Sequence, residues 1–101
     1  MADHDPSNPQ HTKRARVADQ NRAEQLDADM RWVMSDPRGR RVVAMLIERA
    51  GVRVANYNAD PLLLSRIEGQ RDIGIALRDC AERVAPEDYD TLRREERGRD
   101  D

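Results

Sequence analysis

Aromatic side chains are scarce in this 101-residue sequence: one Trp (Trp32), two Tyr (Tyr57, Tyr89) and no Phe. A row of stacked aromatics, the usual platform for single-stranded nucleic acid, is excluded. Cysteine is nearly absent. Cys80 stands alone, which excludes an intramolecular disulfide and a Cys-based metal site and fits a reducing compartment. Long apolar runs are missing too. The longest, Val42-Val43-Ala44-Met45-Leu46-Ile47, falls far short of the ~20 residues that span a bilayer. Met1-Ala2-Asp3-His4-Asp5-Pro6 has no basic or apolar stretch, so a signal peptide is not expected.

Charge is what the sequence has in quantity. Charged residues make up 38%, and 18 basic against 20 acidic side chains leave a net charge of −2. That balance removes the simplest argument for a polyanion partner. All the basic residues except Lys13 are arginine, the planar cation that suits ion pairs with carboxylates. A GC-rich coding sequence also explains the bias. A mixed Arg and Asp/Glu surface favours protein partners.

Residues 1–20 hold Pro6, Pro9 and several small polar side chains, with Val17 the first branched apolar one. Such a segment buries too little surface to offset the entropy of ordering it. It reads as a flexible, disordered N-terminal arm that a partner would order. From Asn21 the pattern turns helical. Ala23, Leu26, Met30 and Val33 recur at spacings of three and four, with Trp32 and Met34 beside them. Asp36-Pro37 stops this helix and starts the next, Asp as N-cap and Pro as first helical residue. Val42, Val43, Leu46, Ile47 and Ala50 give the second helix its apolar face, and Gly51 ends it. Residues 51–60 read as a connector, with Val52, Val54 and Tyr57 tucking onto the helices.

Asp60-Pro61 repeats the start signal. Leu63, Ile67, Gln70, Gly74, Leu77, Ala81 and Val84 then step by four and three, predicting one long helix over about 61–85. Its glycines, Gly69 and Gly74, mark a break or a close helix approach. Pro86 opens a last helix, with Glu87, Asp88 and Asp90 in its first turn and a thin apolar face of Tyr89 and Leu92. Arg93 to Asp101 reads as solvated and fraying. The expected architecture is all-α: about four helices, one long, in a helical domain over 21–97, with a flexible tail over 98–101. So small a domain has a marginal core, which docking or self-association would supplement.

No catalytic constellation is visible, and the chain is not expected to be an enzyme. His4 and His11 both lie in the arm, so neither serves as a positioned base, and Cys80 has no histidine to activate it. Cys80 reads instead as a buried small hydrophobe. Asp27 and Asp29 point to different helix faces. No phosphate loop or dinucleotide fingerprint occurs, and no metal or cofactor is expected. Charges such as Arg78 with Glu82, or Arg71 and Asp72 with Glu68, are ordinary helix-surface groups. Trp32 reads as core or as an interface anchor.

Arg38, Arg40 and Arg41 crowd the first turn of the second helix, where the dipole disfavours cations. The simpler reading is an internal or intersubunit ion-pair cluster. The sharper one is an anion site, since helix N-termini collect phosphates. Lys13, Arg14 and Arg16 form a second short basic cluster and are the possible phosphate contacts.

Two blocks carry a resemblance. Arg31-Trp32-Val33-Met34-Ser35-Asp36-Pro37-Arg38-Gly39-Arg40-Arg41 precedes Ala50-Gly51-Val52. Glu68-Gly69-Gln70-Arg71-Asp72-Ile73-Gly74 precedes Pro86-Glu87-Asp88-Tyr89. Together they resemble a family of small tailed-phage proteins encoded among the structural genes of Bordetella-phage-type podoviruses, over roughly residues 28–96. The resemblance implies no enzymatic activity. It implies a minor virion or assembly component on the portal or head-tail connector, in several symmetric copies, or an internal protein ejected with the genome. Its location would be the virion, and the host cytoplasm during assembly. Trp32, Arg38, Arg40, Arg41 and Arg71 are the protein-interface candidates. Two other functions compete: a nucleic-acid-associated phage protein using its Arg clusters, and a small inhibitor of a host protein.

Overall fold

A computed structural model describes residues 9–54 and 60–100. They form four helices, α1 (Pro9–Ser35), α2 (Pro37–Arg49), α3 (Pro61–Val84) and α4 (Pro86–Asp100), and no strand. The all-α expectation holds. Both Asp-Pro pairs start helices as read. The Asp36 side chain accepts from the Arg38 backbone N–H at 2.8 Å, and Asp60 accepts from that of Leu62 at 3.0 Å. Gly51 ends α2 at φ +71°, a backbone conformation that glycine alone adopts without cost.

α1 differs from expectation. It starts at Pro9, not near residue 21, and at 27 residues is the longest helix. The polar composition of this stretch matches its exposure, since every residue from Thr12 to Gln20 is exposed. Helix propensity is a separate quantity. Beyond Pro9, suited to a first turn, the segment has neither Gly nor Pro and is rich in Gln, Arg and Ala, which favour helix. The first eight residues of the expected arm, and Tyr57, lie outside the described residues. At the other end α4 runs to Asp100, beyond where the tail was placed.

The core is Met34, Val43, Ala44, Ile47, Val52, Ala81, Ala85, Tyr89 and Leu92, flanked by Met30, Val33, Ala50, Ile75, Leu77 and Val84. Met34, rather than the Leu26 stripe, is the fully buried residue of α1. Leu26 and Trp32 stay 61% and 75% exposed, so Trp32 is not a core residue. Val52 tucks onto the helices as expected, whereas Val54 is exposed. Cys80 is half-buried, not buried.

Two glycines set how closely the helices meet. A Cβ on Gly74 would lie 2.4 Å from the Ala50 Cβ and 2.6 Å from the Val52 Cγ2, so α3 receives the end of α2 at this point. Of the two readings of the α3 glycines, Gly74 is the close approach, and α3 is unbroken. Gly39 sits against the Val33 carbonyl, which fixes the tight α1–α2 corner. The molecule extends over 58 × 40 × 19 Å.

Candidate protein-interaction site

The three arginines at the start of α2 have three different surroundings. Arg38 is exposed and turns back on the cap: its Nε and Nη2 donate to Asp36 at 3.1 and 2.8 Å. The Arg38 side chain, then its backbone N–H, hold the Asp36 carboxyl down at about 2. Arg40 turns inward and is only 9% exposed. Its Nε donates to Glu95 at 2.6 Å, and its Nη1 donates to the Met34 carbonyl at 2.8 Å, one residue from the end of α1. One guanidinium thus ties α2 to α4 and satisfies a carbonyl at a helix end, where cations are favoured. Arg41 is exposed. It lines a hollow of about 380 Å³ with Ala44, Met45, Glu48, Arg53, Glu96 and Arg99. The block is therefore no single anion cradle. The ion-pair reading describes Arg38 and Arg40.

Two further ion pairs hold the helices in register. Arg53, in the turn after α2, makes a two-pronged contact to Glu96 at 2.8 and 3.2 Å. Glu96 raises the pKa of Arg53 further. Arg83 on α3 grips both oxygens of Asp27 on α1 at 3.0 Å, and these bonds lower the Asp27 pKa. Glu95 and Glu96 had been read as part of a fraying tail. The signal was present, since Ala85, Tyr89, Leu92 and Glu96 follow one helical face.

Arg71 is half-buried on α3. Its Nε is buried without a hydrogen-bond partner, and its Nη1 lies 4.0 Å from Glu68. Arg78 turns to Asp79 at 3.2 Å, not to Glu82. Trp32 stands on the outside of α1 near the Ser35 hydroxyl, which donates to the Trp32 carbonyl at 2.6 Å. Lys13, Arg14 and Arg16 are exposed on the outer half of α1. Lys13 and Arg14 line a shallow hollow with Gln10, Val17, Ala18 and Asn21. The interface candidates Trp32, Arg41 and Arg71 sit on three different helices, α1, α2 and α3.

Apolar surface is the larger feature. Val42, Leu46, Leu62 and Ile73 are 52, 45, 80 and 74% exposed. Leu46 and Ile73 flank a groove of about 320 Å³ between α2 and α3, with Ala50, Gly74 and Leu77 on its floor. Val42 and Leu62 do not line this groove, and scattered single apolar residues are normal on a surface. Among the described residues no three side chains gather as a metal site, and no helix is long and apolar enough to cross a membrane.

The described residues thus form a four-helix module with a small core and an open apolar groove. Residues 30–94 match the family model of Bbp19-like phage proteins, and the chain belongs to that family. The match begins at Met30, where α1 meets the core, and leaves out the exposed half of that helix. No curated protein and no solved structure matches the chain.

Proposed function

We propose that this phage protein is a minor structural or assembly component of the virion, docking in several copies onto the portal or head-tail connector of a podovirus-type phage. The carrying observation is the apolar surface left outside a thin core in a member of a phage family. Trp32 supplies an exposed aromatic anchor of the kind that dominates protein interfaces. In this reading the protein acts without catalysis. It acts in the virion, and in the host cytoplasm during assembly. Mass spectrometry of purified particles tests this. Recovery at a fixed copy number relative to the portal supports it, and absence from mature particles and from assembly intermediates rejects it.

A second reading rests on Lys13, Arg14 and Arg16. They are exposed and make no ion pair among the described residues, unlike Arg38 and Arg40. They would contact phosphates of the packaged genome. Gel retention would weaken steeply with salt, and replacing all three by Ala would flatten the slope.

A further inference from the structure

The charges of α3 are sorted between its two sides. Arg66, Gln70, Ile73 and Leu77 recur at spacings of four and three and share one face. Gln70, Ile73 and Leu77 of that face line the groove, opposite Leu46, Arg49 and Ala50 at the end of α2. The carboxylates of α3, Glu68, Asp72, Asp79 and Glu82, all fall on the other side of the helix. The one carboxylate of α2, Glu48, lines the separate hollow that holds Arg41 and Arg99. The groove is therefore bordered by cations alone. Arg49 stands on its rim and Arg66 two turns along α3 from Ile73, and neither pairs with a carboxylate among the described residues.

The groove is also preformed. Gly74 is packed by Ala50 and Val52 of the same chain, and this contact fixes how far apart the two walls stand. Leu46 and Ile73 rise from those walls, 45 and 74% exposed. Shape and charge together select the occupant. A bilayer surface takes up a protruding apolar face, not a slot. A phosphate backbone gains nothing from apolar walls. A row of aliphatic side chains on a helix fills such a slot, and carboxylates beside that row meet the arginines. No helix of this chain carries that pattern. The acidic side of α3 has only Ile75 among its carboxylates, and Ile75 packs against the core. In α4, Tyr89 and Leu92 are buried. On α1, Glu24 lies on the side away from Leu26.

We propose that the α2–α3 groove binds an acidic amphipathic helix of a different protein. The aliphatic side chains of that helix seat between Leu46 and Ile73, and its flanking carboxylates meet Arg49 and Arg66. The inference rests on the docking reading and deepens it, by naming the surface and the chemistry of the partner.

Two synthetic helical peptides test it with the full chain. Both carry leucines along one face; one has glutamates beside them and its twin has lysines. Fluorescence anisotropy of the labelled peptides reads the affinity. The wild type binds the glutamate peptide at least about 10-fold more tightly than the lysine twin. Ile73→Asp weakens that binding at least about 10-fold, because a carboxylate then stands in the apolar slot. Ile73 is exposed, so helical content by circular dichroism stays unchanged. Arg49→Glu combined with Arg66→Glu reverses the preference toward the lysine twin, an outcome that a merely apolar surface does not give. Failure to bind the glutamate peptide overturns the proposal. So does equal binding of the twins, or Ile73→Asp binding like the wild type. Sedimentation of the chain alone supplies the last arm: self-association that Ile73→Asp abolishes assigns the groove to a second copy and overturns the proposal too. These results leave the protein's recovery from purified particles untouched, so the groove and the virion reading fail separately.

Discussion

Arg40 and Arg41 are neighbours in sequence with opposite fates, and the difference sets their sensitivity to mutation. Arg40→Ala removes the partner of a half-buried Glu95 and leaves the Met34 carbonyl unsatisfied. Glu95 retains some water access, so the expected loss is about 2–3 kcal/mol, at the lower end for a broken buried pair. Arg41→Ala shifts stability by less than about 0.5 kcal/mol, as for most surface changes. Urea denaturation of the two variants checks both. The sequence placed these arginines at a helix start but not which turned inward. That choice depends on α4 delivering Glu95 from 55 residues away.

The lowered carboxyls fix the response to acid. Asp36 has its pKa at about 2, against 3.8 unperturbed, and Asp27 is lowered as well. A group depressed in the folded state favours folding only while it is ionised. Its contribution is full above about pH 4 and falls away as the pH drops toward 2. Melting temperature therefore declines over that window. In Asp36→Asn the decline is shallower, and thermal unfolding at stepped pH values measures the difference.

At the scale of the element, two glycines of one helix predict opposite outcomes. Gly74→Ala places a methyl group inside contact distance of Ala50 and Val52, which costs about 1–3 kcal/mol by overpacking. Gly69→Ala meets nothing within 4 Å and gains about 0.5–1 kcal/mol from helix propensity and reduced chain entropy. Thermal melts of the pair separate close approach from simple helix interior. The helix starts were legible because Asp-Pro encodes a cap and a first turn locally. The N-terminal reach of α1 was not, because an exposed helix carries no apolar period to read. Trp32 was misleading in the same way. Its position beside the stripe suggested burial, yet neighbours on a helix are 100° apart, and Met34 took the inward place.

For the whole molecule, shape gives the clearest measure of how much lies outside the core. A 100-residue globule has a radius of gyration of about 13 Å, and this chain has 18.5 Å. Losing the α1 residues 9–20 should therefore cost less than about 1 kcal/mol, since that stretch adds nothing to the buried core. The helical signal falls while the denaturant midpoint holds, and circular dichroism with urea reads both. The phage family was legible in the Arg-Trp-Val-Met and Glu-Gly-Gln-Arg blocks. The exposed apolar surface was less so. Val42, Leu46 and Ile73 carry the same periodicity as buried residues, and only the placement of the helices leaves them facing outward.

The Arg40–Glu95 bond also sets the order in which the chain becomes a protein during translation. α1, α2 and α3 are synthesised before the Glu95 carboxylate, Tyr89 or Leu92 exists. Until then Arg40 has no counter-ion to accompany it inward, and one side of the core is open. Folding therefore waits for the last helix. A nascent chain halted before α4 remains exposed to proteases.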